Sequence, residues 1–308
     1  MRAVILDLDT MGQGIDLAPI EAVTDQLDSW PLSKPQEVAA RLQGAEIAIT
    51  NKALITREVI EQSPELKLVC VLATGTNNID MEAAHAAGIQ VRNVTAYGTP
   101  SITQHTLTMI LALATRLKQY DRALANGAWQ QSPTISPFLY PATQLAGKQL
   151  AIVGAGELGK ETARLAEALG MHVVFAARPG NPDDSRPALE DLLPHTDVIS
   201  IHCPLTAATA GLINRDNLSR IKRGALLVNC SRGGIIDEEA ALDALREGQL
   251  GGLGVDVLPE EPPVNGNALL DALDEDINLL VSPHIAWATP EARQRIIEIT
   301  ADNIRTSL

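Results

Sequence analysis

Gly154-Ala155-Gly156-Glu157-Leu158-Gly159 follows directly on the apolar run Gln149–Val153 and opens a segment that lines up Leu158, Leu165, Ala166 and Leu169 on one helical face. Strand, glycine turn and helix, in that order, form the setting in which G-x-G-x-x-G binds a dinucleotide. The first glycine permits the turn, the second lets the backbone approach a pyrophosphate, and the third allows helix and strand to pack closely. The helix N-terminus then offers free N–H groups and a positive dipole end to the anion. About 150 residues precede this loop, so another unit is built first. At the position 23 residues beyond Gly154, where a site for NAD usually carries an acid, the chain reads Phe175-Ala176-Ala177-Arg178.

Three later segments converge on the same region. Leu226–Asn229 ends a buried strand and is followed by Cys230-Ser231-Arg232-Gly233-Gly234. Gly254–Val257 ends in Leu258-Pro259-Glu260-Glu261-Pro262, and Val281 leads into Ser282-Pro283-His284-Ile285-Ala286-Trp287. Ligands of open parallel sheets bind outside the carboxyl ends of the strands, so Arg232, Asp256, Glu261 and His284 are expected around one crevice.

The elements that must position these residues are legible as alternating β and α segments, which imply parallel sheets with helical crossovers. Strands are expected at Val4–Leu6, Glu46–Ile49, Leu68–Leu72 and Ile89–Val91, with helices at Pro19–Leu27, Pro35–Leu42, Arg57–Glu61 and Asp80–Ala87. A long helical stretch runs from about Pro100 to Asn126, and a proline-rich connection, Ser132–Pro141, follows. A second series has strands at Gln149–Val153, His172–Ala176, Val198–His202, Ala225–Asn229, Leu253–Val257 and Asn278–Val281. The last helix, Pro290–Ile304, finds no further strand to join there and is expected to return to the first domain.

With 308 residues, 45% apolar and 20% charged, the chain has the profile of a globular protein of two domains. A net charge of −14 argues against nucleic acid or an anionic membrane as partner, since both leave a basic footprint. Cys70, Cys203 and Cys230 lie in apolar runs without a C-x-x-C pair, which points to a reducing compartment. The N-terminus meets Asp7 too soon for a signal h-region, and no apolar run approaches the length of a spanning helix. These features imply a cytoplasmic protein. His202-Cys203 lacks a second pair at ligand spacing, so no metal is expected, and His85, His105, His172 and His195 receive no role.

The chain resembles the D-isomer-specific 2-hydroxyacid dehydrogenase family. Val71-Leu72-Ala73-Thr74-Gly75-Thr76-Asn77-Asn78-Ile79-Asp80 is similar to that family's substrate-carboxylate loop, and Asn93–Gly98 with Ser101–His105 is similar to its entry into the cofactor domain. His202-Cys203-Pro204-Leu205-Thr206 resembles the turn near the adenine. The family's catalytic arginine, glutamate and histidine fall on Arg232, Glu261 and His284. Asn51-Lys52, Tyr97-Gly98-Thr99-Pro100 with Gln104-His105, and His284–Trp287 are most similar to the glycerate dehydrogenase (hydroxypyruvate reductase) branch.

The resemblance implies an α/β fold of two Rossmann-like domains around a deep cleft. A discontinuous, flavodoxin-like substrate domain would take residues 1–98 plus 287–308, and a dinucleotide-binding domain 99–286. It further implies reversible reduction of a small 2-oxo acid, hydroxypyruvate or glyoxylate, to the D-2-hydroxy acid. His284 would serve as general acid and base, Glu261 would orient its ring, and Arg232 would hold carboxylate and carbonyl oxygens in a fork. Thr74, Gly75 and Trp287 would join Arg232 at the substrate, the alternative for Trp287 being simple packing. Gly154, Gly156, Glu157, Leu158, Gly159, Ala177, Arg178, Cys203, Pro204, Cys230, Ser231 and Asp256 would contact the cofactor, Asp256 facing the nicotinamide carboxamide. Because Ala177 brings no carboxylate and Arg178 suits a 2′-phosphate, NADP(H) is expected in preference to NAD(H). A homodimer through the cofactor domain is expected. Two rivals stand beside this reading: a phosphoglycerate-type dehydrogenase, and a nucleotide-sensing regulatory protein on the same fold.

Overall fold

The computed structural model describes residues Met1–Leu308 and divides into two compact units, Met1–Gly98 with Trp287–Leu308, and Thr99–Ala286. In the first unit β1 (Arg2–Ile5), β2 (Gln26–Ser29), β3 (Ile47–Thr50), β4 (Leu68–Val71) and β5 (Gln90–Asn93) alternate with α1 (Ala18–Glu21), α2 (Pro35–Arg41), α3 (Arg57–Glu61) and α4 (Met81–Ala86). All strand pairs are parallel, and the order β2-β1-β3-β4-β5 is that of a flavodoxin-like sheet, which reverses between β1 and β3. Every residue of β3 and β4 is buried, as expected for parallel strands covered on both faces.

The second unit opens with α5 (Thr99–Thr115) and α6 (Leu117–Ala125). Its sheet comprises β6 (Gln149–Val153), β7 (His172–Phe175), β8 (Val198–Ile201), β9 (Ala225–Asn229), β10 (Leu250–Val255) and β11 (Leu279–Val281). Between and beside them run α7 (Glu157–Ala168), α8 (Leu189–Leu192), α9 (Arg215–Leu218), α10 (Glu238–Arg246) and α11 (Ala268–Asp271). The strands are parallel in the order β11-β10-β9-β8-β6-β7, reversing between β6 and β8. One sheet face packs Leu150, Ile152, Leu226 and Val228 against α5 and α7, and the other packs Ala151, Val153, Leu227 and Val255 against α8 to α10. The chain then returns to the first unit as α12 (Pro290–Ser307), capped by Thr289, whose side chain accepts the Ala292 N–H. Ile296, Ile297, Ala301 and Ile304 of α12 complete the core beneath β1, β3 and β4.

Two local expectations fail for identifiable reasons. The helix expected over Pro19–Leu27 stops at Glu21, and Gln26–Ser29 is an edge strand with a single neighbour, β1. Its polar sequence and largely unburied side chains give no alternation to read. The stretch expected as one helix from Pro100 to Asn126 breaks at Arg116, whose φ of +59° is left-handed. Its guanidinium reaches Pro141 O and Gln119 Oε1, so tertiary contacts hold a conformation that arginine propensity opposes.

Candidate active site

The glycine loop lies where the second sheet reverses, the place at which open α/β sheets take ligands. Gly154 has φ +113°, and a Cβ there would stand 2.5 Å from His202 O and 2.9 Å from Cys203 N. A Cβ on Gly159 would stand 2.0 Å from Gly154 O. Gly156 differs, because a Cβ there meets no atom within 4 Å. Two glycines therefore let backbone approach backbone, while the third leaves open space before the N-terminus of α7. That opening, lined by the unpaired first-turn amides of Glu157 and Leu158, fits the pyrophosphate of a dinucleotide. Glu157 itself accepts the Thr99 hydroxyl at 2.6 Å and ties the start of α7 to the start of α5.

Beyond β7, Ala177 N–H donates to Pro187 O at 2.7 Å, and Arg178 is exposed with no partner for its guanidinium. The nearby Asp184 is spent within its own loop. Its carboxylate accepts the N–H groups of Arg178 (2.8 Å) and Arg186 (3.0 Å) and pairs with the Arg186 guanidinium. The Arg186 side chain, aided by those two amides, holds it well below the usual carboxylate range. On the other side of the loop, burial pushes the Cys203 and Cys230 thiols up to about 11 and about 12, so both remain thiols. Pro204 is exposed on the turn after Cys203, and its carbonyl accepts the Thr209 hydroxyl at 2.6 Å.

The ends of β9, β10 and β11, neighbours in the sheet, carry the other expected residues. Asn229, 2% exposed, shapes the turn that presents Arg232. Its Oδ1 accepts Ser231 N–H (3.0 Å) and Ser231 Oγ–H (2.8 Å), and its Nδ2 donates to Arg232 O (2.8 Å). Arg232 is exposed and donates one N–H to Ser231 O at 2.6 Å. Gly233 lets the Leu258–Pro259 backbone come close, since a Cβ would stand 2.1 Å from Leu258 O. That contact brings the Arg232 turn against the loop bearing Glu261.

Glu261 acts as a fork. One oxygen accepts Leu258 N–H at 2.8 Å, and the other lies 2.6 Å from His284 Nδ1. A carboxylate only accepts, so Nδ1 carries the hydrogen and Nε2 is the ring nitrogen that can take up or release a proton. The two side chains are 31% and 33% exposed, which leaves the imidazole reachable. His284 adopts φ +53°, unusual for a residue with a side chain. Asp256, 1% exposed, accepts N–H groups from Ile285 (3.0 Å) and Ala286 (2.9 Å).

The remaining expected residues belong to the first unit. Thr74 and Gly75 follow β4, and their N–H groups donate to no atom of the protein. Thr74 is held by its hydroxyl on Val94 O (3.0 Å) and by Asn93 Nδ2 on its carbonyl (2.7 Å). Trp287 meets Tyr97 edge to face, with ring centroids 6.5 Å apart. Asp7, for which the sequence suggests no role, is 2% exposed and accepts the N–H groups of Asn51 (2.9 Å), Lys52 (2.5 Å) and Ala53 (2.8 Å). Sequence reasoning misses Ser282 and His105 too. His105 lies one helical turn after Ser101, so the sequence puts both on one face of α5, but nothing in it marks that face among the other polar residues Thr99, Thr103, Gln104, Thr106 and Thr108.

Residues 107–286 match the model of the D-isomer specific 2-hydroxyacid dehydrogenase NAD-binding domain. The chain belongs to the D-isomer-specific 2-hydroxyacid dehydrogenase family, oxidoreductases that interconvert 2-oxo acids and D-2-hydroxy acids with a nicotinamide cofactor. Within it, the chain is similar to glycerate dehydrogenase of Methylorubrum extorquens, 43% identical over 271 residues (88% of this chain, 85% of that protein). It is also similar to hydroxypyruvate reductase of Blautia hydrogenotrophica, 35% identical over 316 residues (100% and 97%). Among solved structures, the TT0316 protein of Thermus thermophilus is 32% identical with a TM-score of 0.85, covering 100% of this chain and 96% of that one. No helix is long and apolar enough to cross a membrane.

Proposed function

We propose that the protein reduces hydroxypyruvate, and the smaller glyoxylate, to the 2-hydroxy acid, the product from hydroxypyruvate having the D configuration. The observation that carries this reading is the 2.6 Å tether between His284 Nδ1 and Glu261, which joins the segments after β11 and β10, the latter strand lying beside β9, which leads to Arg232. The names of the relatives, glycerate dehydrogenase and hydroxypyruvate reductase, support the choice of substrate. A bound nicotinamide supplies the hydride. Arg232 holds the substrate carboxylate and carbonyl oxygens with its planar fork, which a lysine cannot reproduce. His284 delivers a proton from Nε2 to the carbonyl oxygen as negative charge grows there, and Glu261 keeps the ring in the tautomer that allows it. In the oxidative direction the same nitrogen takes the proton back. The unpaired N–H groups of Thr74 and Gly75 receive a carboxylate oxygen, and Trp287 with Tyr97 forms an apolar wall for the substrate.

For the cofactor, Gly154, Gly156 and Gly159 with the amides of Glu157 and Leu158 take the pyrophosphate. Cys203, Pro204, Cys230 and Ser231 line its course, and Asp256 Oδ2, which has one protein donor, keeps capacity for the carboxamide. NADP(H) is preferred to NAD(H). Ala177 offers no carboxylate to a ribose, Arg178 is unpaired, and Arg186 has already neutralised Asp184. The protein acts as a homodimer through its second unit, where Leu117, Trp129, Ile135 and Phe138 expose 61%, 54%, 88% and 93% of their surface. Three buried free thiols suit a cytoplasmic, reducing setting.

His284→Gln is expected to lower kcat at least about a thousandfold while nucleotide binding persists. Oxidation of NADPH is measured with hydroxypyruvate, glyoxylate and pyruvate in turn. Parental turnover in the variant, or no activity of the parent on any of the three, overturns the assignment. The cofactor choice has its own check. Arg178→Ala should cut kcat/KM for NADPH roughly tenfold and leave that for NADH unchanged, the size expected of one charge-assisted contact; a parent enzyme faster with NADH refutes it.

A further inference from the structure

His284 holds a left-handed backbone, a conformation that a non-glycine residue keeps only when its surroundings impose it. The surroundings here are one buried aspartate and one face of α5. Asp256 receives three consecutive amides: His284 N–H on its carbonyl (2.7 Å), then Ile285 N–H and Ala286 N–H on its carboxylate (3.0 and 2.9 Å). Ser282 adds its hydroxyl to Asp256 Oδ1 at 2.5 Å. From α5, Ser101 donates to Ala286 O at 2.6 Å, and one turn later His105 Nε2 lies 2.9 Å from Ser282 Oγ and 3.5 Å from Asp256 Oδ1. Segment 282–286 is thus gripped at both ends by the same helical face and in the middle by Asp256.

The direction of each bond follows from donor counting. A serine hydroxyl has one hydrogen, and Ser282 gives it to a carboxylate that can only accept. Ser282 Oγ must therefore accept from His105, whose Nε2 carries a hydrogen. The chain of donors runs His105 → Ser282 → Asp256, and it leaves Asp256 Oδ1 fixed where it receives Ile285 N–H, the amide next to His284.

We propose that His105 and Ser282 are positioning residues that act through Asp256 to hold His284 in the backbone conformation that aims its imidazole at Glu261. A ring displaced by about 1 Å loses roughly a hundredfold in proton transfer, whereas the cofactor loop, formed by other residues, is untouched. The proposal rests on His284 as the proton donor, so its test includes a measurement on the nucleotide-free protein that does not depend on turnover.

His105→Ala and Ser282→Ala are each expected to lower kcat roughly ten- to hundredfold, with the Kd for NADPH by nucleotide fluorescence raised no more than about threefold, because Asp256 reaches only the carboxamide and the pyrophosphate contacts at the glycine loop stay as they are. Both should shift the ring 13C–1H resonance of His284, assigned by its disappearance in His284→Gln. His105→Gln, whose side-chain amide restores a donor toward Ser282, should return both the resonance and most of kcat. Parental kcat and an unmoved resonance in His105→Ala overturn the proposal. So does a loss of NADPH binding in step with kcat, the pattern of a merely structural histidine, and so does failure of His105→Gln to recover what alanine loses. Should His284→Gln itself turn over at the parental rate, the proton-donor assignment fails, and the resonance still decides whether His105 positions the ring.

Discussion

At the reversal of the first sheet, β1 is followed by Leu6 and Asp7, and the Asp7 carboxylate turns to the end of β3, where it accepts the amides of Asn51, Lys52 and Ala53. At the reversal of the second, β6 is followed by Gly154, and the space before α7 is left open above Gly156. Parallel sheets of this kind converge backbone N–H groups on the same point whichever unit is considered. One unit answers them with an anion of its own, and the other leaves them open, as the pyrophosphate site proposed above requires. Two Rossmann-like units in one chain can thus divide their work by the residues that succeed the first strand of each: an aspartate in one and glycines in the other.

The comparison breaks most severely at Gly159. Alanine there puts a methyl 2.0 Å from Gly154 O, and the expected result is a loss of more than about 3 kcal/mol with no measurable nucleotide binding. Urea unfolding with parental midpoint and affinity would count against it. Asp7→Ala should cost about 3 kcal/mol, because the buried amide of Asn51 and the part-buried amides of Lys52 and Ala53 lose their acceptor together. Hydrogen exchange should show Asn51–Ala53 deprotected while β6–β9 keep their protection, and uniform exchange across both sheets would contradict the division of labour.

A third test concerns the two turns after β3 and β8, Asn51 in one unit and His202 in the other. His202 bonds Ser200 Oγ at 2.8 Å, and burial pushes its pKa down to about 4 from an ordinary 6.5. Between these values the unfolded chain binds a proton that the folded one refuses. Stability is therefore lost as pH falls from about 6.5 toward 4, by up to about 3 kcal/mol, and this loss ends below 4. The difference in urea midpoint between parent and His202→Gln should narrow over that interval; a constant difference refutes the assignment. The smallest effect is expected at Gly156→Ala, where the new methyl meets nothing. Stability should stay within about 0.5 kcal/mol, while dinucleotide Kd rises about tenfold as the methyl enters the approach path of the pyrophosphate.

Legibility in the sequence divides along the same contrast. Gly154, Gly156 and Gly159 announce themselves because their roles are backbone roles, fixed by spacing along one strand–turn–helix unit. Arg232, Glu261 and His284 are legible as strand-end residues, since parallel topology alone brings such ends together. Asp7, Asn229, Ser282 and His105 escape notice because their partners are amides and hydroxyls distant in sequence, and an aspartate beside hydrophobic residues carries no mark of which amide it will meet. The same limit explains Arg116, where contacts with Pro141 and Gln119 outweigh helix propensity, and β2, an edge strand recognisable only by its pairing with β1.

The return of α12 to the first unit has a consequence for how the protein is made. Ala3, Ile5, Ile47, Ile49, Leu68 and Cys70 pack on Ile296, Ile297, Ala301 and Ile304, but the ribosome reaches those residues only after finishing all of Thr99–Ala286. At ordinary elongation rates that interval is roughly ten to forty seconds. Throughout it one apolar face of the first sheet lacks α12 and has only the short α1 and the Met11 segment to cover it, while the second unit, which needs nothing beyond Ala286, is free to fold. Chaperone demand during synthesis should therefore fall on the N-terminal sheet. The first part of the chain to be translated is the last to be completed.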